Sequence, residues 1–177
     1  MSNLPRSSEL FEFLDDTHRK IHEKIQRINF FVSKIESQDL TPAERKELHE
    51  ICDFFETEAR QHHLDEETHI FPSLLSSPDE SIVQLTRRLT QDHGWLEENW
   101  IEIDPQLDAL SQNRGSYDFA ELSHAMIVLT ALYDEHMQLE EELAYPQAKK
   151  LSHTLDVMGA GREMAQRRHR ARNLKVA

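Results

Sequence analysis

The sequence predicts an all-α protein, an up-down-up-down four-helix bundle over residues 1–150 with a basic C-terminal tail over residues 151–177. Three observations lead there. The 177 residues include only four glycines and six prolines and show no sustained Val/Ile/Thr alternation of the kind that marks strands. Helix start signals recur along the chain, separated by short connections. Each segment between them carries one stripe of apolar residues at helical spacing. A chain of this length forms about one domain and can bury a core without disulfides or other staples.

The first helix is expected to begin near Ser7 or Ser8, with Glu9 and Glu12 in its first turn, and to run to the Lys34-Ile35 region. Thr41-Pro42-Ala43-Glu44 opens the second: Thr41 as N-cap, Pro42 at the first helical position and Glu44 closing a capping box. Ser77-Pro78-Asp79-Glu80 repeats that signature and opens the third, in which Asp104-Pro105 should kink or break the helix. Gln112-Asn113-Arg114-Gly115 breaks the chain, and Ser116 starts the fourth. Connections of a few residues force successive helices to lie antiparallel.

Histidines then fall into register. His18 lies about 20 residues before the first connection and His62 about 20 after it; His93 and His136 flank the Asn113-Gly115 break in the same way. At ~1.5 Å per residue, antiparallel helices bring all four to one level, roughly 30 Å from one end of the bundle. They also lie in apolar stripes: Leu14, His18, Ile21 and Ile25; Leu48, Ile51, Phe55, His62 and Glu66; Leu89, His93, Leu96 and Trp100; Leu122, Met126, Leu129, His136 and Glu140. Each histidine therefore takes the place of a core residue.

Two segments are alike. His62 to Pro72 and His136 to Pro146 both read H-x-x-x-E-E with a proline ten residues after the histidine. Histidine and glutamate four apart share one helical face, so His62 with Glu66, and His136 with Glu140, can reach one centre. Four imidazoles and two carboxylates in a dry core carry a heavy desolvation cost unless a cation neutralises them. A metal pair does so directly. Mixed imidazole and carboxylate donors suit iron, with zinc or manganese as alternatives, and the lone Cys52 excludes thiolate ligation.

The pattern of His18, then His62 with Glu66, then His93, then His136 with Glu140 resembles the hemerythrin-like, or HHE cation-binding, family over residues 8–150. The resemblance implies a four-helix bundle holding two iron ions bridged by carboxylates and an oxo or hydroxo group. By position Glu66 and Glu140 would be the bridges and the four histidines the terminal ligands. The O₂-carrying members of the family have five histidines; His69 and His22 are the options for a fifth here. If neither binds, a water-filled position favours reactivity over reversible carriage. His63, Glu67, Glu141 and Glu142 read as surface groups or supports of the ligands, and loss of the Glu141 side chain is expected to matter little. The implied partner is a small diatomic ligand, O₂ or nitric oxide, with Phe55, Trp95, Trp100, Leu132 and Met126 as apolar wall residues. A redox partner or a second copy of the chain would complete the list. Three functional classes share these ligands: a module that binds or senses the ligand, a di-iron oxidoreductase that reduces O₂ or peroxide or acts on nitric oxide, and an iron store or donor. A metal-free structural bundle is the bland alternative.

Charge and composition exclude other classes. A net charge of −13 argues against nucleic acid as partner. No apolar run is long enough to span a bilayer, and MSNLPRSSEL lacks the core of a secretory signal, so the cytoplasm is the expected compartment. Cys52 fits a small buried hydrophobe. From Arg162 onward six Lys/Arg face one acidic residue, a local net of +5 against −18 for the rest. This tail reads as a partly helical solvated end, with docking on an acidic face as the alternative.

Overall fold

The structure, a computed structural model, describes residues 7–35, 40–114, 118–151, 159–164 and 166. Among these residues all regular structure is helical. Four rods carry the fold. The first is α1 (Ser7–Ile35). The second is α2 (Pro42–Phe54) continued through a π-helical turn, Phe55–Ala59, into α3 (Arg60–His69), with a short α4 (Phe71–Leu75) beyond it. The third is α5 (Glu80–Ser111). The fourth is α6 (Phe119–Leu139), continued through a second π-helical turn, Glu140–Ala144, into α7 (Tyr145–Lys150). No helix of the described residues is long and apolar enough to cross a membrane.

The ends of the helices follow local chemistry. At Thr41 the side chain accepts from the Glu44 N–H at 3.3 Å, and Glu44 Oε2 accepts from the Thr41 N–H at 2.8 Å. This is the expected capping box. The third rod starts two residues later than Ser77. Asp79 is its N-cap, accepting from the Ser81 N–H at 2.9 Å, while Ser77 Oγ accepts from the Asp79 N–H. A carboxylate outcompetes the hydroxyl for the free N–H groups and the dipole. The helix continues unbroken past Pro105, contrary to a break there. It ends at Ser111, and just beyond it Asn113 takes φ at 55° and the Arg114 N–H donates to the Ala109 carbonyl at 2.8 Å, which closes a Schellman turn. Asp118 caps α6 by accepting from the Glu121 N–H; Ser116, the expected start, lies outside the described residues.

Packing runs α1 against α6, α6 against α5, and α5 against α2. Side-chain pairs give the directions. Along α1, Lys20, Arg27 and Lys34 meet Glu58, Glu47 and Glu44, and His18 and Asn29 meet Glu141 and Thr130. Along α5, His93, Glu97, Trp100 and Leu110 meet Glu67, Arg60, Phe55 and Arg45. Numbers rise on one helix as they fall on its neighbour.

Two apolar layers fill the interior, and a polar layer lies between them. On α1, Leu14 belongs to one apolar layer and Ile21 to the other, with His18 between. Ala59 and Ile70 flank His62 and Glu66; Leu89 and Leu96 flank His93; Met137 and Ala144 flank Glu140. Cys52 is buried, and burial pushes its thiol pKa up, so it serves as a core residue. In the tail, Ala160 and Met164 are buried in the layer of Leu10, Phe11 and Phe71, so that segment is not a wholly solvated end. Of the tail, residues 151, 159–164 and 166 are described, and its other residues lie outside the described set.

Candidate metal centre

The polar layer brings together all six residues singled out in the sequence: His18, His62, Glu66, His93, His136 and Glu140. Each is at most 5% exposed. Their donor atoms form two overlapping sets, His18, His62, Glu66 and Glu140 in one, and Glu66, His93, His136 and Glu140 in the other. Within each set the atoms lie within 4.8 Å of one another. The two glutamates belong to both sets. Glu140 divides its oxygens, with Oε2 3.2 Å from His18 Nε2 and Oε1 3.2 Å from His136 Nε2. Glu66 Oε2 is 3.5 Å from both His62 Nε2 and His93 Nε2. The Nε2 atoms of His93 and His136 are 3.1 Å apart, near enough to share a proton or to take neighbouring positions on one cation.

These residues fit a cation better than they fit each other. Glu66 Oε2, both oxygens of Glu140 and both ring nitrogens of His62 are buried without a hydrogen-bond partner. Leaving one such group unsatisfied costs about 1–3 kcal/mol, and more when it is charged. A mixed set of imidazole nitrogens and carboxylate oxygens is the donor chemistry of iron, manganese and zinc.

The second glutamate of each H-x-x-x-E-E motif has its own part. Glu67 Oε1 is 2.8 Å from Nδ1 of His93, and Glu141 Oε1 is 2.9 Å from Nδ1 of His18. Each carboxylate fixes the proton of its histidine on Nδ1 and turns the lone pair of Nε2 into the cluster. Both thus act across the bundle, on a helix other than their own.

Tyr145 is a further member that the sequence reading passed over. It is 1% exposed, its hydroxyl donates to Glu66 Oε1, and its ring stacks on His18 at 5.2 Å. At about 100° per residue an α-helix would carry position 145 about 140° away from position 140. The π-helical turn Glu140–Ala144 closes instead with the Tyr145 N–H on the Glu140 carbonyl, five residues back, and returns Tyr145 to the inner face.

The charges are shared within the layer. Burial raises the pKa of Glu66, and the neighbouring charge of Glu140 adds to that rise. Glu140 is pushed the same way by burial, but His136, His18 and His93 outweigh it and hold the carboxyl well below its usual range. Burial disfavours a charged His18, yet the carboxylate of Glu140 close beside it lifts its pKa to about 9. His62 goes the other way, lowered by burial and by the positive His18 beside it. A layer that holds protons on its imidazoles to balance a carboxylate can exchange those protons for a cation.

Three expectations need correction. Neither option for a fifth histidine reaches the cluster. The His22 side chain is 45% exposed and faces Asp134 at 3.9 Å, because Ile21 occupies the seam at that turn. His69 is two turns, about 10 Å, beyond His62, where it lies 3.6 Å from Glu163. Of the two readings of His63, as a surface group or a support of the ligands, the first is overturned: it is 7% exposed and stacks on His93 with ring centroids 4.1 Å apart. Trp95 is 46% exposed and forms no wall of the site.

The chain was compared with known proteins. Residues 9–148 match a family model described as the hemerythrin HHE cation binding domain. An uncharacterized protein of Haemophilus influenzae is 28% identical over 137 residues, which cover 77% of each chain.

Proposed function

The chain belongs to the hemerythrin HHE cation-binding domain family, and from that premise we propose that it holds a non-haem di-iron centre, oxo- or hydroxo-bridged, that interacts with O₂, nitric oxide or reactive oxygen species for binding, sensing or detoxification. His18 and His62 would serve one iron and His93 and His136 the other, with Glu66 and Glu140 between them, in an up-down-up-down bundle. The observation that carries this reading is the divided carboxylate of Glu140, one oxygen 3.2 Å from His18 and the other 3.2 Å from His136. A carboxylate that serves one cation has no reason to face two separate imidazole groups.

An iron pair supplies electrons and exchangeable coordination positions for a small oxidant or radical gas. The chain's own residues set the conditions. The two apolar layers border the polar one on either side, Glu67 and Glu141 hold His93 and His18 in one tautomer, and Tyr145 steadies Glu66 by donating to its outer oxygen. The test is to reduce the iron-loaded protein anaerobically and mix it with O₂, and separately with nitric oxide, in a stopped-flow spectrometer. New absorption within seconds, ending in the diferric spectrum with O₂, is the expected result. A spectrum unchanged by either gas would sink the proposal.

A further inference from the structure

Beside the polar layer, a cavity of about 410 Å³ enters the bundle between the π-helical turn Phe55–Ala59 and α5. This is the small end of the ~300–1,000 Å³ range of ligand pockets. Its walls are aromatic. Phe55, Trp100 and Tyr133 are buried, with the Phe55 ring centroid 4.8 Å from that of Trp100 and 5.3 Å from that of Tyr133. The polar groups on these walls lack partners. Trp100 and His63 are 8% and 7% exposed, and neither Trp100 Nε1 nor His63 Nε2 has a hydrogen bond. Oδ1 of Asp104, one helical turn beyond Trp100, is buried in the same state. Each such group costs about 1–3 kcal/mol until something bonds to it.

Charge selects what fits. Glu56, Glu97 and Asp104 line the cavity against one cation, Arg60, and Arg60 is paired with Glu97. Glu56 and Asp104 remain as an acidic pair beside three aromatic rings. Burial raises the pKa of the Asp104 carboxyl, and the neighbouring charge of Glu56 adds to that rise. A cation between them answers both charges, and aromatic faces attract a cation as well. We propose that this cavity binds a small primary amine in its ammonium form, with an apolar body that carries one hydrogen-bond acceptor. The ammonium bonds to Asp104 and Glu56, the body lies against Phe55 and Tyr133, and the acceptor takes the indole N–H of Trp100. None of Asp104, Glu56 and Trp100 is a donor of the polar layer, so the inference goes beyond the iron-pair reading and does not depend on it. The occupant would lie one ring from the layer, since His63 lines the cavity and stacks on His93.

Three probes of one shape and different charge test this by isothermal titration of the full iron-loaded chain at neutral pH. They are tyramine, a cation; 4-ethylphenol, neutral; and 4-hydroxyphenylacetate, an anion. Tyramine should bind saturably, about tenfold or more tighter than 4-ethylphenol, as a desolvated ammonium on carboxylates and aromatic rings implies. The anion should give no binding heat. Asp104→Asn and Glu56→Gln should each weaken tyramine by about tenfold and leave 4-ethylphenol nearly unchanged, since only the charge is removed. Glu56 is exposed, so its variant keeps the fold even where a change at Asp104 disturbs packing. Trp100→Phe, which keeps a ring and loses the N–H, should weaken both phenols alike. Absence of saturable tyramine binding, or equal affinity for tyramine and 4-ethylphenol, would overturn the proposal. So would wild-type tyramine affinity in both carboxyl variants, which would put the amine elsewhere on the acidic surface.

Discussion

Glu140→Ala is expected to leave the purified protein nearly free of iron and to destabilise it by about 3–5 kcal/mol, the range for breaking a buried charged network by removing one partner. Glu140 is fully buried and faces His18, His93 and His136 at 3.2, 3.7 and 3.2 Å. Its loss removes a donor from both metal positions at once and leaves three imidazoles without their common counter-charge. Two measurements check this, iron per chain after reconstitution and the denaturant midpoint of the reconstituted protein. Glu142→Ala is the matched control, since Glu142 is exposed and, among the described residues, bonds along its own helix to Gln138 at 3.0 Å. Equal iron in the two variants would mean that Glu140 does not bind.

The next largest effect is expected at the second glutamates of the two motifs. Glu67→Ala and Glu141→Ala should each weaken iron binding by about 10–100-fold, the usual consequence of losing a carboxylate behind a ligating histidine. Each loses the acceptor that holds Nδ1–H, so that His93 or His18 can rotate or change tautomer. Glu141→Gln keeps a carbonyl oxygen for that hydrogen bond and should recover most of the affinity. Competition with a chelator of known affinity measures all three. Wild-type affinity in both alanine variants would reduce these contacts to surface pairs. The sequence reading treated Glu141 as dispensable, because its place on its own helix puts it outside the seam. Its role depends on α1, which no count along one helix can reveal.

Much of the architecture was legible because its causes are local. Thr41, Pro42 and Glu44 specify a helix start through bonds within four residues, and the structure forms those bonds. His18, His62, His93 and His136 were placed at one level by helical rise and short connections, and their side chains do meet. What escaped depends on departures from the 3.6-residue period. Tyr145 and His63 both follow π-helical turns that shift the inner face by one residue, and a search at fixed spacing misses both. A weak trace was there for His63, in the spacing of Ala59, His63, Glu66 and Ile70. The options at His22 and His69 failed for a different reason: the seam at those levels already holds Ile21 and Ile70.

Both effects above presuppose that one layer of the bundle holds a pair of metal ions, and the measurement that tests this most directly is an anaerobic titration of the metal-free protein with ferrous iron. Binding should be followed by absorbance and checked by elemental analysis after removal of unbound metal. Donor sets that share Glu66 and Glu140 predict a break close to two iron ions per chain. A break at one iron, or no saturable binding with iron in excess, would contradict the account.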